Sequence, residues 1–420
     1  MMLSPLGANV ASWSIAGFAT AGVIARPFNW PEAVWALSGA TLLVLLGLLP
    51  WGAALSAVAK GGDVYLFLIG MMLLSETARR QGLFDWVAVR AVNLAQRSPK
   101  RLFLVIYAAG VLVTTFMSND ATAVVLTPAV YAATRKAKVE PLPYLFICAL
   151  VANAASFVLP ISNPANIVLY GDHTPALLPW LKSFALPSVL SIVATYLALR
   201  FIEGRRLPHE CESDLPVEPL SRGARAAMAG LALTAVVLIG ASAMDRQLGL
   251  PTAIMGVATT ALVLAMVRES PWATVREVSW AVLPLVAGLF VLVEALAKTG
   301  VIDQLAGLLA HGVGQAPTWT AWISGGTIAL GSNFINNLPA GLIASSTVAI
   351  KPPPQSVVDA LLIGVDLGPN LSVTGSLATI LWLTAVRREG EDVSFARFLR
   401  LGLVAMPPAL IAALAGRLIF

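Results

Sequence analysis

An aspartate within an apolar stretch is the residue best suited to chemistry in this sequence. Asp120 follows Ser118 and Asn119 inside the largely apolar segment 102–134. A charged aspartate at the centre of a bilayer costs about 2.5–3.5 kcal/mol, so a residue retained there is expected to have a function. We predict that Asp120 gains and loses a proton. Aspartate also caps helices well, and a capping role is compatible with this prediction.

A second acid, Asp366, lies beside another interruption of an apolar segment and is the other candidate for proton coupling. Asp366 is equally well explained by a structural role, in which its side chain bonds the backbone of the loop. Two membrane aspartates also raise the remote alternative of an intramembrane aspartyl hydrolase. Their placement at corresponding breaks favours a transporter over an enzyme, so no catalytic residues are predicted.

Polar side chains cluster where prolines such as Pro164 and Pro369 interrupt the apolar segments. Proline lacks the backbone N–H and stops a helix, and a broken backbone in lipid persists only where protein or water covers its polar groups. Asn, Ser and Thr side chains satisfy such groups and can also bind a solute, so some of them are expected only to cap half-helices. The predicted substrate-binding residues are Ser118, Asn119, Asn163, Asn166, Ser332, Asn333, Asn336, Asn337, Asn370 and Thr374.

Composition excludes several classes of protein. Hydrophobic residues make up 58% of the 420 residues and charged residues only 12%, about half the charge of a soluble domain. The net charge of +5 indicates membrane topology and not nucleic-acid binding. Two cysteines, Cys148 and Cys211, are too few for a Cys-rich metal site. The three histidines, His173, His209 and His311, fall in predicted loops and are not expected to form a metal site, and no cofactor is predicted.

The apolar segments predict an all-α polytopic membrane protein with about ten transmembrane spans, two re-entrant hairpins and two broken helices. Segments of roughly 20 apolar residues are long enough to cross a bilayer. The hairpins are 102–134 and 318–350, and the broken helices are 144–170 and 355–386. The other spans are 9–25, 32–50, 63–79, 183–201, 226–244, 251–267, 280–297 and 398–419, and two short amphipathic segments, 82–97 and 300–314, are predicted to be interfacial arms.

The distribution of basic residues supports this topology. With the N-terminus outside, 21 of the 27 Lys and Arg residues fall on the cytoplasmic side, as the positive-inside rule requires. Basic clusters at 97–101 and 135–138 flank the segment 102–134, which must therefore enter the membrane and return. This hairpin is predicted to open to the cytoplasm and its counterpart at 318–350 to the periplasm. The location that we expect for the chain is a bacterial inner membrane.

The sequence also contains an internal repeat. The interval from Glu76 to Glu294 equals the interval from Asn119 to Asn336 to within a single position, and the breaks follow in the same order. These glutamates are interpreted as residues at the ends of spans. The halves are 1–202 and 226–420, joined by a cytoplasmic linker at 203–225, and the span count predicts that they are inverted. Inverted repeats with discontinuous helices are typical of secondary transporters.

Four motifs resemble the ArsB family of arsenite efflux permeases within the ion transporter superfamily. The motifs are SNDATAVVLTP at 118–128, SFVLPISNPANIV at 156–168, INNLP at 335–339 and GVDLGPNLSVTGSLATILWL at 364–383. The resemblance covers about residues 30–420. It implies proton-driven export of arsenite and antimonite, and a possible cytoplasmic partner ATPase of the ArsA type. Asn370 and Thr374 stand where other members vary, which leaves the solute preference open.

The cysteine content agrees with that implication. Trivalent arsenic prefers several thiolate ligands, yet Cys148 is the only cysteine in a predicted span. The solute is therefore expected to bind as neutral As(OH)₃ through hydrogen bonds, and an elevator-like movement is expected to carry it. A Na⁺/H⁺ antiporter and a carboxylate or silicate carrier on the same scaffold remain alternatives. A carboxylate carrier would need a cation near the site, and no Lys or Arg lies deep in a predicted span.

Overall fold

The computed structural model describes residues 4–171, 174–244 and 246–419, and over these ranges every regular element is a helix. The first half forms α1 (Pro5–Ala25), α2 (Glu32–Leu45), α3 (Trp51–Lys60), α4 (Gly62–Arg80), α5 (Leu83–Leu94), α6 (Pro99–Phe116), α7 (Asn119–Ala121), α8 (Thr127–Lys136), α9 (Leu142–Ala154), α10 (Pro164–Tyr170) and α11 (Leu177–Glu203). The second half forms α12 (Arg222–Ala243), α13 (Gly249–Val267), α14 (Pro271–Glu277), α15 (Val282–Lys298), α16 (Val301–Gln315), α17 (Pro317–Ile335), α18 (Asn337–Ile350), α19 (Gln355–Leu367), α20 (Leu377–Arg388) and α21 (Phe395–Leu418).

The protein is an all-α polytopic membrane protein. Seven helical stretches of the described residues, one of them α14 and α15 together, are long and apolar enough to cross a bilayer. The number is eight when α3 and α4, bent by 48° at their junction, count as one span. Helices such as α9, α10, α19 and α20 are too short to cross singly, because each is one half of a broken helix. The count of ten spans therefore stays a prediction.

Two helices, α3 and α14, were missed by the sequence prediction, which treated residues 51–62 and 268–279 as loops. Each starts at a proline: Pro50 is the N-cap of α3 and Pro271 the first residue of α14. Proline suits a helix start because its missing N–H would be unpaired there anyway. At 10 and 7 residues, both helices are too short to produce the hydropathy signal of a span.

Serine caps begin the long helices at several of the predicted boundaries. Ser4 and Ser221 accept hydrogen bonds from the backbone N–H groups in the first turns of α1 and α12, and Ser98 and Ser394 do the same for α6 and α21. Such caps satisfy N–H groups that have no partner within the helix. The interval from Ser4 to Ser221 is the same as that from Asn119 to Asn336, so these two caps correspond in the sequence repeat.

The helices pack in two bundles. The first bundle comprises α1–α4 and α12–α15, where α4 packs on α13 and α2 on α15. The second bundle comprises α6–α11 and α17–α21, where α11 packs on α21 and α17 on α19. The helices α5 and α16 contact both bundles. They coincide with the two segments predicted to be interfacial arms, and that role stays a prediction.

The packing pairs of the two halves correspond. At the offset of the sequence repeat α1 matches α12, α2 matches α13 and α4 matches α15, and the remaining elements follow in the same order. The contacts follow the same correspondence: α1 and α2 pack on α15, and their counterparts α12 and α13 pack on α4. Each half therefore completes the first bundle by packing its initial helices on the other half.

Glycine permits the closest of these approaches. A Cβ at Gly70 of α4 would lie 2.2 Å from the carbonyl oxygen of Thr252 in α13. At the corresponding crossing of α15 and α2, a Cβ at Gly288 would lie 2.9 Å from Ala36. Small residues that let helix backbones meet are typical of helix packing in membranes.

Candidate functional site

The segment predicted to be the first hairpin is broken between α6 and α7. Helix α6 ends at Phe116, and Ser118 caps the short helix α7, its Oγ accepting from the Ala121 N–H at 3.3 Å. Asn119 is buried, and its Oδ1 accepts from the Asp120 N–H at 2.9 Å. A π-helical turn over Thr122–Leu126 then leads into α8. Such turns are frequent at functional sites.

Both ends of this hairpin meet the same stretch of the linker. The Cys211 N–H donates to the Arg97 carbonyl at 3.1 Å, and the adjacent Glu212 N–H donates to the Ala137 carbonyl at 2.9 Å. Arg97 precedes α6 and Ala137 follows α8. The two ends of the segment from α6 to α8 therefore lie close together at the linker, and Asp120 lies near the turn between these helices.

Asp120 faces a cleft between the two bundles. The cleft has a volume of about 70 Å³, and its walls come from α4, the hairpin tip, Pro164 and the segment Glu277–Val282. Ser118 lies in the same wall as Asp120. Asp120 is partly exposed, and no described side chain donates a hydrogen bond to its carboxylate. An unpaired carboxylate in a membrane cleft is a functional candidate on physical grounds.

Two further carboxylates, Glu76 and Glu277, line the cleft. The prediction treated Glu76 as an end-of-span residue, whereas the structure buries it to 7% exposure in the cleft wall. Arg79 bonds Glu76 at 2.6 Å and also pairs with Glu277, which accepts from Arg80 at 2.9 Å. These two glutamates are thus neutralised by arginines, and Asp120 is the cleft carboxylate without such a partner among the described residues.

The other predicted acid, Asp366, is fully buried between the two broken helices and away from the cleft lining. Its Oδ1 accepts from the Asn163 amide at 2.8 Å, and its Oδ2 lies 2.6 Å from the Ser156 hydroxyl. Asn163 also caps α10 by accepting from the Ala165 N–H at 3.0 Å. Asp366 therefore ties the end of α19 to the break between α9 and α10.

A pair of asparagines joins the same breaks. The Asn153 amide donates to the Asn370 Oδ1 at 3.0 Å, and the Asn370 amide donates to the Leu150 carbonyl at 3.0 Å. Asn153 was missed as a site residue because it lies inside an apolar helix. The sequence repeat could have identified Asn153, because the interval from Asn153 to Asn370 equals that from Asn119 to Asn336. Two residues related by the repeat are here in direct contact.

Asn166 and Asn337 combine backbone support with an unused acceptor. The Asn166 amide donates to the Ser156 carbonyl at 2.8 Å and also lies near those of Leu159 and Pro160, so it covers the exposed backbone of the first break. The Asn337 N–H donates to the Gly375 carbonyl at 2.8 Å. Both side-chain oxygens are buried without a donor among the described residues.

The remaining predicted residues join the second hairpin to the second break. The Asn333 amide donates to the Gly368 carbonyl at 3.0 Å, and its Oδ1 accepts from Ser372 at 2.8 Å. Thr374 donates to the Asn333 carbonyl at 2.9 Å, and the Asn336 side chain caps α18. Ser332 is buried and donates to a carbonyl in its own helix. These side chains brace backbone, and none lines the cleft around Asp120.

Sequence reasoning also missed a buried ion pair. Asp359 in α19 has no exposed surface and accepts from the Arg417 Nε at 2.6 Å, the Tyr170 hydroxyl at 2.5 Å and the Gln355 amide at 2.7 Å. The Arg417 side chain reaches this carboxylate from the end of α21. The pair fastens the ends of α10, α19 and α21 to one another.

The described residues contain no group of three or more His, Cys, Asp or Glu side chains able to hold a metal ion. His311 lies within α16 and not in the predicted loop, His209 lies in the linker, and His173 falls outside the described residues. Cys148 is buried in α9. Burial raises the pKa of the Cys211 thiol in the linker, which disfavours the thiolate that binds soft metals.

Comparison with known proteins places this site among transporters. The arsenical pump membrane protein of Escherichia coli strain K12 is 27% identical over 374 residues, covering 84% of this chain and 86% of the relative. An uncharacterised transporter of Mycobacterium tuberculosis is 25% identical over 404 residues, covering 92% and 93%.

Two solved structures share the fold. The YdaH transporter of Alcanivorax borkumensis superposes with a TM-score of 0.58 at 16% identity, over 86% of each chain. The Neisseria gonorrhoeae MtrF efflux pump gives a TM-score of 0.53 at 14% identity, over 87% of this chain and 83% of that one.

The family model of the citrate transporters, CitMHS, matches residues 20–365. This match covers most of the chain and includes the first hairpin, the first break and the second hairpin. The protein is a membrane transporter and not an enzyme, and the chain belongs to the CitMHS family.

Proposed function

We propose that this transporter exports arsenite, and the chemically similar antimonite, across the bacterial inner membrane in exchange for protons. The observation that carries the proposal is the cleft at the bundle interface, where Asp120 stands without a partner among the described residues. The name of the E. coli relative, an arsenical pump membrane protein, supports arsenite as the solute.

The charge of the cleft favours this solute over citrate. Its described lining contains three carboxylates, those of Glu76, Asp120 and Glu277, and no Lys or Arg side chain. Arginines neutralise Glu76 and Glu277, so the uncompensated charge of the lining is that of Asp120, which repels an anion where water does not screen it. Neutral As(OH)₃ carries no such penalty. Its hydroxyl groups can donate to Asp120 and to the Ser118 hydroxyl.

In this proposal Asp120 couples export of the solute to entry of a proton. An ionised Asp120 accepts hydrogen bonds from the hydroxyls of As(OH)₃, whereas a protonated Asp120 has lost one acceptor and its charge. Protonation from the periplasm therefore promotes release of the solute and removes the charge before the site returns. Asp366 then has a positioning role in our proposal, because it holds the two broken helices together beneath the cleft.

The two bundles support an elevator-like movement. Contacts within each bundle are extensive, whereas α4, α15 and α18 account for most contacts between bundles. We propose that the second bundle carries the solute past the first, with α5 and α16 as arms. In this scheme the halves are inverted, the first hairpin and the linker lie at the cytoplasmic face, and the second hairpin opens to the periplasm.

Uptake into everted membrane vesicles tests the proposal. Arsenite uptake is measured with and without an imposed proton gradient for the wild type, Asp120→Asn and Asp303→Asn. Asp303 is exposed in the first turn of α16, so its variant makes the same chemical change away from the cleft. We expect gradient-driven uptake in the wild type and Asp303→Asn, and its loss in Asp120→Asn.

Full proton-coupled uptake by Asp120→Asn would refute the role of Asp120. Dependence of uptake on sodium would favour the Na⁺/H⁺ antiporter alternative, and competition by citrate would favour a carboxylate carrier. Product release from peptide substrates in proteoliposomes would instead indicate the aspartyl hydrolase. The family resemblance also implies an ArsA-type ATPase at the cytoplasmic face, and uptake with and without ATP and that subunit measures its contribution.

A further inference from the structure

An apolar groove separates α1 and α15 from the second hairpin. Its volume is about 550 Å³, within the 300–1,000 Å³ typical of small-molecule sites. One wall is a stripe along α1 at helical spacing that includes Trp13, Gly17 and Thr20, and the opposite wall includes Phe334 and Ile343. The described lining has no charged side chain.

The groove occupies the position in the second half that the cleft occupies in the first. Leu289 and Val293 of α15 line the groove, and the sequence repeat aligns them with Met71 and Ser75 of the cleft. The cleft holds carboxylates where the groove holds apolar groups, the Thr20 hydroxyl and the Trp13 indole, whose N–H donates to the Thr299 hydroxyl at 2.8 Å. An apolar cavity does not retain water, so neither water nor a polar solute suits the groove.

Hydrocarbon is the occupant that this setting favours. The groove is continuous with surface that a membrane-spanning helix presents to lipid, because Phe18, next to Gly17, is 79% exposed and Phe334 is 77% exposed. Lipid chains already cover these rings in a bilayer. A chain that enters between α1 and the second hairpin buries more apolar surface, at about 25 cal/mol per Å².

One end of the groove suits a phosphate group. Lys298 lies between the groove residues Leu296 and Val301, is exposed, and forms no ion pair with a described residue. Helix α16 begins at Val301 with no side-chain cap from Gly300. Asp303 in the first turn of α16 opposes an anion at that N-terminus, so the attraction for a phosphate comes from the Lys298 ammonium.

From these features we infer that the groove binds a phospholipid, with one acyl chain between α1 and the second hairpin and its phosphate at Lys298. The lipid fills the gap between the two bundles on the side opposite Asp120. This inference concerns a lipid site and does not depend on which solute the protein exports.

Photo-cross-linking in nanodiscs tests the site. The discs contain phosphatidylglycerol with a diazirine in one acyl chain, and cross-linked peptides are mapped by mass spectrometry. We expect the groove faces of α1 and α18 to be labelled more strongly than exposed α12. Gly17→Leu should reduce this labelling to the level of α12, because a Cβ at Gly17 meets no atom within 4 Å and its side chain can fill the groove without a clash.

Gly240→Leu is the matched control, since Gly240 is exposed on α12 and also has no atom within 4 Å of an added Cβ. Labelling of the groove should be unchanged in this variant. Ala21→Leu fills the same groove from the next turn and replaces Gly17→Leu if that protein does not fold. Lys298→Gln should lower retention of phosphatidylglycerol by up to about fivefold, the value of an exposed ion pair.

Labelling of the groove no stronger than that of α12 would overturn the inference. So would undiminished labelling in a folded groove-filling variant. Unchanged retention in Lys298→Gln would overturn the placement of the phosphate.

Discussion

Replacing Asp366 by asparagine is expected to preserve the fold, whereas replacing it by alanine is expected to damage it. The Ser156 hydroxyl lies 2.7 Å from the Asn153 carbonyl and 2.6 Å from Asp366 Oδ2. A hydroxyl has a single hydrogen and can donate it to one of these oxygens. A neutral Asp366 that donates to Ser156 satisfies the whole arrangement, with Ser156 donating to the carbonyl.

The two variants differ in what they leave unpaired. In Asp366→Asn, the new amide donates to Ser156 and the remaining oxygen accepts from Asn163, so the free energy of unfolding should change by less than about 1 kcal/mol. In Asp366→Ala, Ser156 loses its donor and the Asn163 amide loses its acceptor. Each buried unpaired group costs about 1–3 kcal/mol, for a loss of about 2–6 kcal/mol.

Thermal unfolding of the purified protein, followed by tryptophan fluorescence, measures this difference. Asp303→Ala is the control, because changes at exposed positions usually stay within about 0.5 kcal/mol. If Asp366→Asn lowers the melting temperature as much as Asp366→Ala, the carboxylate is ionised and the reasoning is wrong. If Asp366→Asn is stable but has lost proton-coupled uptake, Asp366 itself carries a transported proton.

Three further predictions concern packing and the cysteines. Arg417→Met should cost about 3–5 kcal/mol, because it leaves a fully buried carboxylate uncompensated; an unchanged melting temperature would contradict the buried pair. Gly70→Val should abolish accumulation of folded protein, because its Cβ would lie 2.2 Å from a carbonyl of α13, whereas Gly240→Val should accumulate normally. The double variant Cys148→Ala and Cys211→Ser should retain arsenite uptake in vesicles, and loss of uptake by the folded variant would indicate thiolate ligation.

Helix breaks were the most predictable part of the fold. The breaks after Phe116 and Ile335, and those within 144–170 and 355–386, all occur where Asn, Pro and Gly interrupt apolar segments. These residues act locally, by removing donors or capping helices, so one stretch of sequence is enough to locate them. The short helices α3 and α14 were not predicted, because neither is long enough to give the hydropathy signal of a span.

The role of each polar residue was less predictable. Asn163, Asn333 and Asn370 were predicted to line a solute site, and in the structure their amides bind carbonyl groups or Asp366. The amide N–H and carbonyl groups of asparagine can bind either backbone or a solute. Which of these a side chain meets depends on the neighbouring helix, which is distant in the sequence. Their part in solute binding stays a prediction.

The sequence by itself determined that this is a helical membrane transporter with two related halves and a break in each, because length, apolar content and proline act through local physics. Only the tertiary structure decided which acid is free. Asp120, Asp366 and Asp359 look alike in sequence, as aspartates in apolar surroundings. Packing gives Asp366 two partners and Asp359 an arginine. It leaves Asp120 facing the cleft, where Glu76 and Glu277 are the carboxylates that pair with arginines.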